Sequence, residues 1–158
     1  MRVRHVMTKN PSCCVASDHA PRAASIMRDE DTGIVPVIDN EQNVELVGVV
    51  TDRDLCMNVV AEGRDPRSVV VEACMTRPVV ICSPNDSVAK VTELMKENQI
   101  RRVPVVDEQG RLQGIVAMAD LVNRGDLKTG ETHETLKAVS VITTQPSKPR
   151  ARSRGAAA

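Results

Sequence analysis

The chain has 158 residues, 41% of them hydrophobic and 27% charged, which is enough apolar material to bury a core and excludes wholesale disorder. Basic and acidic side chains number 21 each, so the formal net charge is zero and no global field gathers nucleic acid or an anionic membrane surface. No apolar run approaches the ~20 residues that span a bilayer, and with no Phe, Tyr or Trp any ring-shaped ligand must lie on aliphatic surface.

In chain order, the N-terminus Met1-Arg2-Val3-Arg4-His5 leads into no long apolar segment. It therefore reads as carrying no signal peptide, and the expected location is cytoplasmic. A short apolar run over 13–15 predicts a strand, and Asp18 is a candidate helix N-cap. Behind it, Ala20, Ala23, Ala24 and Met27 share one helical face. Residues 34–38 form a β-branched strand, a turn follows at Asp39-Asn40-Glu41, and 46–50 returns as the partner strand. A second helix starts near Asp52 and stops at Gly63.

The same order then recurs. Residues 79–82 read as a strand, and Asp86 as an N-cap before a face of Val88, Val91 and Met95. Strands over 103–106 and 112–116 flank the turn Asp107-Glu108-Gln109-Gly110, and a helix runs from Met118 to Gly125. The recurrence is a sequence repeat. Met7-Thr8 returns as Met75-Thr76, Asp18 as Asp86, Met27 as Met95 and Pro36-Val37-Ile38-Asp39 as Pro104-Val105-Val106-Asp107. Gly48-Val49-Val50 returns as Gly114-Ile115-Val116, two positions closer, with the difference falling in the polar turn.

The expected fold is α+β: two tandem β-α-β-β-α units, the first over 1–68 and the second over 69–128. One unit of roughly 60 residues is marginal alone. Two copies packed sheet to sheet in one intertwined pseudo-twofold domain are not. Thr132 caps a further short helix, with Leu136 and Val139 on one face, within 129–144. Residues 145–158, rich in Pro, Ser, Ala and spaced Arg, read as a disordered basic tail. Its spaced basic residues could meet nucleic acid, but without aromatic residues for base stacking a solvated tail is the expected reading.

Chemistry concentrates in two places. In Gly48-Val49-Val50-Thr51-Asp52-Arg53-Asp54 a strand hands over to a helix, with Thr51 at the N-cap and Asp54 three residues on. One reading is a capping box that satisfies free backbone N–H groups. The other is a ligand site, in which the N–H groups and the hydroxyl meet a phosphate and the carboxylate accepts a ribose diol. In Ile100-Arg101-Arg102-Val103-Pro104 two arginines precede a strand, either as a solvated edge or as a forked anion clamp. The matching stretch of the first copy, Thr32-Gly33-Ile34-Val35-Pro36, has no base, so a phosphate site would be lopsided.

Elsewhere the chain is sparse in site chemistry. Its five cysteines, Cys13, Cys14, Cys56, Cys74 and Cys82, include no C-x-x-C, and His5, His19 and His133 are scattered. Neither a disulfide framework nor a metal site is expected, and Cys13-Cys14 reads as buried apolar surface more than as a redox pair. Asp52-Arg53-Asp54 alone is poor evidence for a metal. No catalytic triad, Walker loop or dinucleotide Gly-rich loop is present, so the chain reads as a non-enzyme.

The doubled unit, the Val-Pro-Val strand ending in Asp, and the Gly-h-h-Thr-x-x-Asp segment together resemble a CBS-domain pair, or Bateman module, over residues 3 to 124. The resemblance implies a regulatory module that binds an adenosyl ligand (AMP, ADP, ATP or S-adenosylmethionine) in a cleft between the repeats. It also implies a homodimer, an effector protein of unknown identity, and no membrane. Residue by residue, Thr51 would contact phosphate or ribose, Asp54 the ribose, and Arg101 and Arg102 the phosphate. Val79 and Val80 would hold adenine by their backbone and aliphatic surface. A weaker second site would use Ser12, Cys13, Ile34 and Asp120, with Ala117 standing where the motif has a hydroxyl. The alternative is a structural or dimerisation module with a vestigial cleft.

Overall fold

The computed structural model describes residues 1–124. The helix expected over 129–144, the tail over 145–158 and the stop at Gly125 lie outside the described residues. The architecture is α+β, with two three-stranded sheets. The first half contains β2 (Cys14–Val15), α1 (Ala20–Asp29), β3 (Ile34–Ile38), β4 (Leu46–Thr51) and α2 (Asp52–Leu55), which runs on as a π-helical turn over Cys56–Val60. The second half contains α3 (Val88–Asn98), β5 (Arg102–Val106), β6 (Leu112–Ala117) and α4 (Met118–Arg124). Both hairpins are antiparallel, running from Ile34↔Thr51 to Ile38↔Leu46 and from Arg102↔Ala117 to Val106↔Leu112. Each shifts register at the same repeat position, Val37/Ile38 and Val105/Val106.

The helices bury the faces their spacing dictates, with one exchange. In α1 the buried residues are Ala20, Ala23, Ile26 and Met27. Ala24 is exposed, because the i, i+3, i+4 stripe from Ala23 runs through Ile26 and Met27. In α3, Val88, Val91, Thr92 and Met95 are buried. Asp18 and Asp86 are not the N-caps; those are His19 and Ser87. The two carboxylates reach backward instead, accepting the Val15 and Ser83 N–H groups at 3.0 and 2.9 Å. Each thus closes the turn between strand and helix from its far end, a side-chain-to-backbone bond that competes with capping.

The strand expected over 79–82 shrinks to a single bridge, Cys82↔Val105. Cys82 N–H donates to the Pro104 carbonyl and Val106 N–H to the Cys82 carbonyl. The next bond of a parallel ladder would run from the N–H of residue 104 to the Val80 carbonyl, and proline has no N–H. Pro104 therefore ends the ladder and leaves 79–81 to diverge from the sheet. Pro36 occupies the same place beside the two-residue β2, which pairs in parallel with Val37 and Ile38.

The repeated Met-Thr segments cross between the halves. β1 (Thr8–Lys9) pairs with β6 of the second half, Thr8 opposite Ile115 and Lys9 opposite Gly114. Thr76 bridges Val49 of β4 in the first half. The crossing explains the repeated glycines: a Cβ on Gly114 would stand 2.7 Å from the Thr8 carbonyl oxygen, and one on Gly48 2.6 Å from Met75 Sδ. The cores are exchanged in the same way. Val3 and Val6 pack with Val91, Met95, Val103, Val116 and Leu121 of the second half. Val69, Val71 and Cys74 pack with Ala23, Ile26, Val35, Val37 and Val50 of the first. The hairpin ends also touch, through Leu46 N–H to the Gly110 carbonyl and Leu112 N–H to the Val44 carbonyl.

Candidate functional site

A cavity of about 620 Å³ opens between the halves. Thr51 and Asp54 line it from the β4–α2 junction, Val79 and Val80 from the stretch that Pro104 releases, and Arg101 and Arg102 from the entry to β5. These six residues, separated in sequence by up to 51 positions (Thr51 to Arg102), are brought to one space.

At the β4–α2 junction both readings of the motif meet. Thr51 Oγ1 accepts the Asp54 N–H at 3.1 Å, while Asp54 Oδ2 accepts the Thr51 N–H at 2.9 Å and lies 2.7 Å from Thr51 Oγ1. This is a reciprocal capping box. It fixes the carboxylate through one oxygen. The other, Oδ1, is met by Thr76 Oγ1 at 3.5 Å, the long limit of a hydrogen bond, and all three side chains line the cavity. Capping and ligand binding are thus compatible uses of one carboxylate, because the cap holds Oδ2 and leaves acceptor capacity on Oδ1.

The opposite wall is apolar and basic. Among the described residues no donor meets the Val80 carbonyl. Pro78, Val79, Val80 and Ile100 offer a flat group an aliphatic bed. Arg101 is exposed and Arg102 half-buried. Neither guanidinium enters any of the ion pairs among the described residues, which use Arg28, Arg67, Arg77, Lys90, Lys96 and Arg111.

The cavity also contains residues that sequence reasoning did not place there. Arg53 faces it from α2, and Asp52 packs over Gly33, where a Cβ would stand 3.0 Å from Asp52 Oδ2. Thr76 was visible in the repeat, but its role required knowing that its segment crosses to β4. The signal for Gly33 was its lack of a base; its physical reason is the Asp52 side chain above it.

The residues expected at a second site are not gathered into this cavity, apart from Ile34. That residue lines the first cavity, as its pairing with Thr51 requires. Ser12 Oγ donates to Glu30 Oε1 at 2.8 Å, and Asp120 Oδ2 accepts the Ala117 N–H at 2.8 Å. Asp120 thus keeps the backbone half of the capping box without the hydroxyl half, since Ala117 has none. Cys13 is half-buried, and burial, reinforced by Glu41, raises its thiol above the ordinary value. Cys14 and Cys82 are buried in the two cores, where desolvation pushes each thiol up to about 12. At neutral pH both are protonated, which suits apolar packing and not redox chemistry.

Comparison with known proteins follows the same lines. The family model described as "CBS domain" matches twice, over residues 3–61 and 70–125. The CBS domain-containing protein YhcV of Bacillus subtilis is 40% identical over 119 residues, covering 75% of this chain and 81% of that protein. The CBS domain pair of protein MJ0100, solved in complex with 5′-methylthioadenosine and S-adenosyl-L-methionine, superimposes with a TM-score of 0.68 at 27% identity, over 77% of this chain and 93% of that one. The structure of CBSX2 in complex with AMP gives a TM-score of 0.65 at 28% identity over the same shares. Two family matches on one chain, each containing a hairpin and the helix that follows it, agree with the repeat and the fold: this protein belongs to the CBS-domain family and carries a tandem pair of the domains.

Proposed function

We propose that the chain is a regulatory module that binds an adenosyl nucleotide in the cleft between its two repeats. The observation that carries this reading is the cavity itself. One space of about 620 Å³ is lined by a tethered carboxylate, a hydroxyl, an aliphatic bed and three guanidiniums that enter no ion pair among the described residues. Such a mix suits a molecule with a ribose edge, a flat base and an anionic end. Similar pairs that hold AMP, S-adenosylmethionine or methylthioadenosine support it.

The walls come from both halves, so a ligand touching both favours one relative placement of the repeats. It shifts the population only by its difference in affinity between placements. Signalling then passes through conformation or assembly, as a homodimer, to an effector protein. Catalysis has no part in the reading, which assigns no nucleophile or general base, and the location is cytoplasmic.

The test is thermal unfolding followed by far-UV circular dichroism, since the chain lacks Trp and Tyr. AMP, ADP, ATP and S-adenosylmethionine are added in turn. Ligand at 100 times its Kd adds about 2.7 kcal/mol, which raises the midpoint by roughly 5–10 °C. No shift with any of the four at millimolar concentration points instead to a structural or dimerisation module with a vestigial cleft.

A further inference from the structure

We propose that Arg53 reads the length of the phosphate chain, so that the cleft favours adenosine di- and triphosphates over the monophosphate. This rests on the nucleotide-binding reading above and deepens it. Three guanidiniums line the cavity: Arg101 and Arg102 on one wall, and Arg53 on the wall of α2. None of the three takes part in an ion pair among the described residues. Outside the cavity, Arg28, Arg67, Arg77 and Arg111 have each found a carboxylate, while Arg2, Arg4, Arg22 and Arg64 have none among the described residues; what sets Arg53, Arg101 and Arg102 apart is that all three line one cavity.

Two carboxylates, Asp52 and Asp54, share the cavity with Arg53, and neither forms an ion pair with it. Asp52 Oδ1 accepts the Arg53 backbone N–H at 2.7 Å, and Oδ2 packs over Gly33. Asp54 is tied to Thr51 through Oδ2. Among the described residues no acceptor meets the five donors of the Arg53 guanidinium.

Charge counting then separates the ligands. A terminal phosphate monoester carries about −1.5 to −2 charges near neutral pH and three acceptor oxygens. Arg101 and Arg102, adjacent at the head of β5, match one such group in both charge and forked donors. A monophosphate therefore leaves Arg53 without an acceptor. A second or third phosphate adds the oxygens that Arg53 lacks. Arg53 lines the cavity and is itself exposed.

The experiment is isothermal titration calorimetry of the whole chain with AMP, ADP and ATP, on the wild type, Arg53→Gln, Arg53→Lys and Arg102→Gln. Wild type should bind ATP about tenfold more tightly than AMP, the size of one charge-assisted bond at an exposed site. Arg53→Gln should bring that ratio close to one. Arg53→Lys, which keeps the charge without the fork, should restore part of it. Arg102→Gln should weaken all three nucleotides and keep the ratio. Circular dichroism confirms that each variant is folded. Equal wild-type affinity for AMP and ATP, or a tenfold ratio that survives in Arg53→Gln, overturns the role of Arg53 and leaves nucleotide binding standing. Absence of binding by all three nucleotides removes both.

Discussion

Asp54 carries two duties on two oxygens. Oδ2 completes the cap with the Thr51 N–H and hydroxyl, while Oδ1 has only a long contact to Thr76. Asp54→Ala should therefore lower the stability of the ligand-free protein by about 1 kcal/mol through the lost half of the capping box. It should also abolish the thermal shift caused by nucleotide. Chemical denaturation with and without ligand checks both effects. A variant that loses the cap energy but keeps the ligand shift would leave the ribose contact elsewhere in the cavity. The split matters because any substitution here perturbs the fold and the site together, and only the ligand-dependent difference reports on binding.

The element scale is illustrated by the turns that launch the helices. Asp86 accepts the Ser83 N–H at 2.9 Å and the Lys90 ammonium at 2.8 Å, and its carboxylate is mostly covered, at 18% exposure. The hydrogen bond from Lys90, with that from the Ser83 backbone, holds the carboxyl below its ordinary value of 3.8. Because the folded value is the lower one, ionised Asp86 adds stability that is fully present above 3.8 and fades as the pH falls through the lowered folded value. Thermal midpoints recorded from neutral pH down to about pH 3 should fall less steeply in Asp86→Asn than in the wild type. Identical acid limbs in the two proteins would count against the assignment. Pro104 works at the same scale but by omission. Its missing N–H ends the parallel ladder after Cys82 and hands 79–81 to the cavity wall.

At the scale of the molecule, the repeats exchange their entry segments. Val3 and Val6 belong to the second core, and Val69 and Val71 to the first. Neither half can lose its neighbour without losing part of its own core, so the chain should unfold in one transition. Gly114 is the least yielding point of the exchange, with the Thr8 backbone carbonyl over it where a side chain would stand. Gly114→Ala should cost about 1–3 kcal/mol, since the obstacle is backbone and cannot swing aside. Gly48→Ala should cost less, because Met75 Sδ is the flexible end of a side chain. Urea denaturation of the two variants orders them. A smaller loss for Gly114→Ala than for Gly48→Ala would show that β1 is displaced more easily than the packing indicates.

The sequence by itself determined the repeat, the helix-hairpin-helix order within each copy, the family resemblance and six of the residues that line one cavity. These are local signals: β-branched runs, apolar stripes at helical spacing, a Thr and an Asp three residues apart, and two adjacent arginines. Their register survives translation into structure because each hairpin keeps the repeat's spacing. What only the tertiary structure decided depends on contacts between distant segments. The crossing of Met7-Thr8 and Met75-Thr76 into the opposite sheets is one, and it alone explains Gly48 and Gly114. The loss of the strand over 79–82 is another, because the proline that prevents it lies more than twenty residues away. The backward reach of Asp18 and Asp86 was hidden because a carboxylate near a helix start serves the cap or the preceding turn with equal ease. In the sequence Arg53 belongs to a weak acidic cluster; it becomes informative only once folding has set it on one cavity with Arg101 and Arg102, in no ion pair among the described residues. Periodicity and motif spacing are properties of neighbouring residues, whereas three guanidiniums brought to one cavity are a property of the folded chain.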